Sequence, residues 1–382
     1  MNRNLIYFKW YKIAFLTMLI DPIFVIYAYS EGLSANQIFI LTSIESVLII
    51  LLEVPTGVIS DLFGYKISMV LAVLCFIISN IMIMINPTFI SFIICEIFMA
   101  LYKVCASGAD EAYLYLILDN KNDFTKISGR LDSVNFMITG VISIGIGYVY
   151  SLNKQYPFVL SIAACVLALV MALKLENVKE YHQKIKSAKQ LSGEFIQNIR
   201  RGFQLIFLSG KLRWFVFYSA VISFALIAIL ETYQLFFSMR HIPVEYFGII
   251  YFFMYVVSSI SGRLAHYFKR FNEYRMFILF LILLIITPLF MLLPAKIFIV
   301  TIIIPRIVIG IYPSIMKEYI NKEIETDRAT IFSIRSLLSK LPQVVLLPYI
   351  GCLIDGRGLN NALAVVAGIL FVSGVILLAD RK

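Results

Sequence analysis

A chain of 382 residues with 60% hydrophobic and only 15% charged side chains cannot keep a soluble surface, because a globular domain needs roughly a quarter of its residues charged. The formal net charge of +10 would suit nucleic acid, but the basic residues crowd alternate loops, which makes the surplus a topology signal and excludes a nucleic-acid footprint. Scattered Cys75, Cys95, Cys105, Cys165 and Cys352 and distant His182, His241 and His266 leave neither a disulfide framework nor a metal set, and no glycine loop ending in Lys-Ser or Lys-Thr is present.

A helix crosses the hydrocarbon with about 20 apolar residues. Windows of that width predict twelve spans, at 11–30, 36–57, 67–86, 88–117, 129–150, 157–175, 212–238, 243–265, 275–293, 296–318, 329–350 and 360–380. The first lacks a small-residue cleavage site and is followed by more spans, so it reads as a retained helix. Arg3, Lys9 and Lys12, then Lys121, Lys126 and Arg130, then Arg263, Lys269, Arg270 and Arg275 fall on one side; the other holds Lys154, Arg240, Lys296 and Arg357. The positive-inside bias puts both termini in the cytoplasm and the chain, multi-pass, in a bacterial cytoplasmic membrane.

The polar stretch 176–211 is expected to be a cytoplasmic linker between an N-terminal six-helix bundle, 1–175, and a C-terminal one, 212–382. The halves repeat. Gly262 lies 205 positions after Gly57, and Arg335 lies 205 after Arg130. Gly57-Val58-Ile59-Ser60-Asp61 then aligns with Gly262-Arg263-Leu264-Ala265-His266, which keeps the glycine and replaces the acid with histidine.

Spans three, six, nine and twelve hold no Asp, Glu, Lys or Arg in their interiors. Charges sit in spans one (Asp21), two (Glu45, Glu53), four (Glu96, Lys103, Asp110, Glu111), seven (Glu231), ten (Arg306) and eleven (Arg335, Lys340). Each would cost about 2.5–3.5 kcal/mol facing lipid, so these helices surround a polar interior and every third helix is peripheral. Glu96, Lys103 and Asp110 recur every seven residues, a stripe on one helix face. Their rise of about 10.5 Å per step is too long for pairing along the helix, so Lys103 needs a partner from another span or water. A structural ion pair is the alternative to a transport role. Asp21 precedes Pro22, which frees a carbonyl in mid-span, either as a polar break or as an ordinary kink.

The segment Gly57-Val58-Ile59-Ser60-Asp61-Leu62-Phe63-Gly64-Tyr65-Lys66, a short polar turn between two apolar runs, resembles the loop after the second helix of the major facilitator superfamily. Ser107-Gly108-Ala109-Asp110-Glu111-Ala112 is similar to a segment recurring in its substrate-unassigned bacterial members. The resemblance implies an all-α fold of twelve transmembrane helices in two pseudo-symmetric six-helix bundles, alternating access, no enzymatic activity and a switch loop of Gly57, Asp61, Gly64 and Lys66. Leu62 and Tyr65 stand where the pattern carries basic residues, and span five has Gly140, Gly145 and Gly147 without the proline of the drug:proton antiporter element. Spans one, four, seven and ten line the cavity in the resembled family, so Asp21, Lys103, Glu231 and Arg306 are the central candidates. Glu45, Glu96, Arg335 and Lys340 complete the substrate and proton pathway. Asp21 and Glu231 are placed to carry a coupling proton, modulated by Lys103 and Arg306.

The expected function is proton-coupled export of small amphipathic compounds, with import or facilitation of an anionic or zwitterionic metabolite as the alternative. The expected partners are a small-molecule substrate and the bilayer, without nucleic acid, metal or cofactor, and the protein is expected to be a monomer driven by the proton gradient. Cysteines introduced within 176–211 are expected to escape a membrane-impermeant maleimide added outside intact cells; strong labelling there would overturn the twelve-span topology.

Overall fold

The computed structural model describes residues 3–15, 19–106, 109–120, 123–177, 202–268, 271–293, 298–323 and 328–379. These are helical apart from short turns: α1 (Arg3–Ala14), α2 (Phe24–Ser30), α3 (Ala35–Phe63), α4 (Tyr65–Ile85), α5 (Phe89–Ala106), α6 (Ala109–Ile117), α7 (Phe124–Leu152), α8 (Tyr156–Leu173), α9 (Gly210–Met239), α10 (Phe247–Phe268), α11 (Glu273–Met291), α12 (Phe298–Glu323), α13 (Arg328–Arg357) and α14 (Leu359–Ala379). Among the described residues, ten helices are long and apolar enough to cross a membrane. Outside that count are α12 and the expected first span.

The first span is not one helix. α1 ends at Ala14 and α2 begins at Phe24, with Asp21 and Pro22 in a turn between them. Proline has no N–H to continue a helix, and its fixed φ suits the residues just before a helix start. In the second half the corresponding positions, 224–228, hold no proline and lie inside the continuous α9. α5 and α6 together form one candidate span, Phe89–Ile117.

The switch segment also departs from expectation. Residues 57–63 are the last turns of α3, not a loop, and the turn is Gly64 alone. Gly64 has φ 90° and ψ 155°, a backbone open to glycine and strained for other residues. Lys66 is half-buried in the first turn of α4. The surroundings of Gly57 and Asp61 lie outside the described residues.

The repeat of 205 positions is visible in the helix ends. Leu152, the end of α7, maps onto Arg357, the end of α13. Backbone contacts divide the chain into two units, one of Met1–Leu33, Ile44–Ser192 and Val244–Phe252, the other of Ser34–Ser43, Gly193–Pro243 and Phe253–Lys382.

In the first unit α1, α4, α6 and α8 enclose a core of Phe8, Tyr11, Met69, Phe76, Tyr113, Cys165 and Ala168, all at most 2% exposed. Phe8 stacks on Tyr113 at 5.9 Å, and Tyr102 meets Phe76 edge-on at 5.1 Å, geometries worth about 0.5–1.5 kcal/mol each beyond their burial. Every buried phenol needs an acceptor, and Tyr27 finds one by donating to the Ile83 carbonyl at 2.9 Å. In the second unit α9 is the central helix, with 61% of its apolar window buried against 33% for α8. Tyr218 donates to the Phe277 carbonyl at 2.7 Å, Trp214 to the Leu377 carbonyl at 2.8 Å and Tyr233 to the Thr301 carbonyl at 2.6 Å. The last bond has a specific cause. Pro305 in α12 cannot donate to the carbonyl four residues back, which is that of Thr301, so the Tyr233 hydroxyl takes its place.

The charge-free helices α8 and α14 keep large apolar side chains exposed, among them Leu167, Leu173, Phe371 and Ile376, as lipid-facing helices must.

Glycines set the closest helix approaches. A Cβ on Gly248 of α10 would stand 1.8 Å from the Ser143 carbonyl oxygen of α7, and one on Gly147 would stand 2.2 Å from that of Val244. A Cβ on Gly145, two residues away, would meet nothing within 4 Å. Gly145→Ala is therefore expected to stabilise by up to about 1 kcal/mol through helix propensity. Gly248→Ala should cost about 1–3 kcal/mol because the two backbones must separate. Thermal unfolding of both purified variants in one detergent checks the opposite signs.

Candidate functional site

Two polar groups stand out inside the helices, one in each unit. In the first, Lys103 of α5 forms an ion pair with Glu45 of α3. The Glu45 side chain is 13% exposed, so the carboxylate is enclosed. Glu96, two turns earlier on α5 and 6% exposed, lies close enough to act electrostatically on Lys103. The partner that the seven-residue spacing demanded from another span is thus Glu45. Beside them Cys95 bonds the Ser79 hydroxyl of α4, which brings α4 into the same cluster.

Asp110 does not belong to it, although it continues the stripe in sequence. Asp110 lies on α6 and pairs with Lys12 of α1 at 2.6 Å, both partly buried. Asn135 of α7 donates to the Lys12 carbonyl at 2.6 Å, near the end of α1 where backbone carbonyls lack helical partners. The Lys12 ammonium, expected as a loop charge, is therefore one half of a structural tie between α1 and α6.

In the second unit, Arg306 of α12 is 9% exposed, its guanidinium 5.6 Å from the ring centre of Tyr255 on α10. A guanidinium within about 6 Å of an aromatic face is held by the ring quadrupole, by about 2 kcal/mol or more where water is excluded. Ser258 donates to the Arg306 carbonyl at 3.2 Å, and Gly310, one turn on, faces Ser258 and Gly262 with no room for a Cβ. Close backbone approach at Gly262 places Tyr255 against Arg306.

Arg335 of α13 lies within electrostatic reach of Tyr312 on α12, whose hydroxyl donates to Ser219 of α9 at 2.9 Å. Gln343 donates to Ser223 at 2.8 Å. Ser219 and Ser223 on α9, and Arg335, Ser339 and Gln343 on α13, are each four apart, so two helices face each other along matching polar stripes. Lys340 is half-buried on α13, Glu231 is half-buried on α9, and Asp21 is exposed at the α1–α2 turn. The Asp355 carboxylate caps α3 by accepting from the Ala35 and Asn36 amides at 3.0 and 2.9 Å.

The structure thus brings Glu45, Glu96 and Lys103 within electrostatic reach of one another, and in the second unit sets Arg306 against Tyr255 and Arg335 near Tyr312. The sequence reading missed Tyr255, Ser219, Ser223, Tyr312 and Gln343. The recurrence of Ser219 and Ser223 at helical spacing, opposite a stripe that begins at Arg335, was the available signal.

Helices whose ends repeat after 205 positions, with charges confined to those that are not lipid-facing, match the family model of the Major Facilitator Superfamily over residues 13–345. The chain belongs to the major facilitator superfamily. That family consists of membrane transporters rather than enzymes, and small-molecule substrates and the bilayer are what such proteins engage. The uncharacterized MFS-type transporter YxaM of Bacillus subtilis (strain 168) is 26% identical over 195 residues, a match covering 49% of this chain and 46% of YxaM. The match spans about half the length of that curated relative. Among solved structures, a mutant of the nucleoside transporter NupG superposes with a TM-score of 0.79 over 100% of both chains at 14% identity. A POT family transporter in complex with a thioalcohol-conjugated peptide superposes with a TM-score of 0.73 over 99% of this chain and 96% of that one at 12% identity. These likenesses fix the major facilitator fold.

The Lys12–Asp110 pair ties α1 to α6. Lys12→Ala or Asp110→Ala is expected to destabilise by about 1–3 kcal/mol, each leaving a partly buried ion without its partner. The double substitution should cost less than the sum of the two. A thermal-shift double-mutant cycle checks this, and additive losses would show that the pair contributes no coupling.

Proposed function

We propose that this chain is a proton-driven secondary transporter working by alternating access, and that its solute is a small organic anion or zwitterion taken up into the cell. The observation that carries this reading is the uneven division of membrane-embedded charge. Among the described residues within the spans, the second unit holds the bases Arg306, Arg335 and Lys340 with the acid Glu231. In the first, Glu45 and Glu96 lie beside the base Lys103. Buried charge is expensive, so an excess of bases beside hydroxyl and amide donors favours a solute that brings its own carboxylate or phosphate. An excess of acids in the other unit favours a proton.

Export of amphipathic compounds gains less support. Methionines were the candidates for an adaptable pocket, yet Met69, Met254, Met276, Met291 and Met316 are packed in the core at 3% exposure or less. The basic loops support cytoplasmic termini and insertion in the cytoplasmic membrane.

In proteoliposomes, a panel of labelled carboxylates, phosphate esters and amino acids is expected to yield a solute that accumulates with an inward proton gradient. Arg306→Gln should raise its half-saturation concentration at least about tenfold, the equivalent of one lost charge-assisted contact. A panel in which only cationic or neutral amphiphiles move, with Arg306→Gln indistinguishable from the wild type, would sink the anion reading.

A further inference from the structure

We propose that the Asp355 carboxylate is a releasable latch: it holds the outer ends of α3 and α13 together by capping the first turn of α3, and it lets go each time the transporter opens to the outside. The proposal rests on the alternating-access reading above and names a residue that controls that step.

The first amides of α3, a helix of 29 residues, have no acceptor within their own helix, and its first turn carries no acid. Asp355, near the end of α13, supplies both. One carboxylate oxygen accepts from the Ala35 amide at 3.0 Å and the other from the Asn36 amide at 2.9 Å, which also sets a negative charge at the positive end of the helix. The next amide, that of Gln37, is served locally: it donates to the Ser34 hydroxyl at 3.3 Å, and the Gln37 side chain accepts from the Ser34 amide at 2.9 Å. That reciprocal pair is a capping box, sufficient to start a helix. Asp355 is therefore not needed to form α3. What it adds is a bond between residues 320 positions apart.

The seam beneath the bond is built for close approach. A Cβ on Gly351 would stand 2.7 Å from the Asn36 Cα and 2.9 Å from the Phe39 Cβ, and Ser43 donates to the Gln343 carbonyl at 3.2 Å. The repeat makes a second seam, since Gly248 lies 205 positions after Ser43 and sits against the Ser143 carbonyl of α7. The acid is not repeated. Tyr150 stands 205 positions before Asp355, and its hydroxyl meets that of Ser30 at 3.2 Å. Ser34–Ser43 group by contact with α13, whereas α3 from Ile44 onward groups with the first unit. A helix held in this way cannot travel with the rest of its own bundle until the hold is released. Release is cheap, because Asp355 is exposed and water can take over its bonds. Lys154 and Arg357 mark this end of the helices as the side opposite the basic loops, which the positive-inside bias makes the outside.

Ala35, 1% exposed, is the reporter, as Ala35→Cys in a Cys352→Ser background that removes the exposed native thiol. A membrane-impermeant maleimide is expected to label it slowly in right-side-out vesicles. Asp355→Asn and, independently, Gly351→Ala should each raise the labelling rate about fivefold or more. Gly356→Ala, whose added Cβ would meet nothing within 4 Å, should leave the rate unchanged. Thermal unfolding of Asp355→Asn should stay close to that of the wild type, because the Ser34–Gln37 box remains.

Size-exclusion profiles identify any variant that fails to fold; if Gly351→Ala does, Asp355→Asn and Asp355→Ala carry the test. Folded Asp355 variants labelled at the wild-type rate overturn the latch and leave Asp355 a structural cap. A rise confined to inside-out vesicles overturns it as well, since the seam would then close the cytoplasmic side. The solute panel tests the transport reading separately. If no solute moves, that reading fails; if solute moves and labelling does not respond to the Asp355 variants, the latch alone fails.

Discussion

Everything polar in this protein is governed by the cost of a charge in hydrocarbon. At about 2.5–3.5 kcal/mol per exposed charge, a helix with several ionisable residues inserts only if each finds a partner within the protein or in water. The ion pairs meet this demand across helices rather than along them. Glu45 on α3 answers Lys103 on α5, and Asp110 on α6 answers Lys12 on α1. Each pair therefore fixes the relation of two helices that apolar contact alone leaves free to slide, because lipid tails and leucine side chains are equally good company for one another. Arg306 is held differently, over the Tyr255 ring, and that arrangement depends on the backbone contact at Gly310.

A second demand, that no backbone group be left unsatisfied in the membrane, accounts for the tyrosines. Tyr27, Tyr218 and Tyr233 each place a hydroxyl on a main-chain carbonyl of a neighbouring helix. Their rings fill core volume and their oxygens complete the hydrogen bonding, so one residue type serves packing and polarity together. At Thr301 the carbonyl needs this help because of Pro305, and a helix break that elsewhere would cost about 3 kcal/mol becomes tolerable.

Much of this architecture is legible in the sequence. The apolar windows locate the helices, and the 205-residue repeat read from Gly57 and Gly262 reappears in the ends of α7 and α13. Windows average over single residues, and that is where they failed. The Asp21–Pro22 break vanishes within an otherwise apolar window, and the two glycines of the switch segment suggested a loop where only Gly64 leaves the helix. Partner choice was less legible still. Spacing placed Glu96, Lys103 and Asp110 on one face, but the pairing of Lys103 with Glu45 and of Asp110 with Lys12 depends on which helices pack together. Those are contacts between residues 58 and 98 positions apart in the chain, which no local pattern encodes.

Duplication explains why the two halves share a frame and differ in chemistry. A repeat fixes helix lengths, glycine contacts and the alternation of lipid-facing and interior helices, since these must be kept in both copies for the bundles to fold. Interior charge is less constrained, because a helix that already faces protein or water can exchange one ionisable residue for another without a lipid penalty. The position 205 after Lys103 is Val308, fully buried, while the base of that half sits two residues earlier at Arg306 on a different face of its helix. There the guanidinium lies over the Tyr255 ring, whereas Lys103 pairs with the Glu45 carboxylate, so one backbone repeat carries different interior chemistry in its two copies.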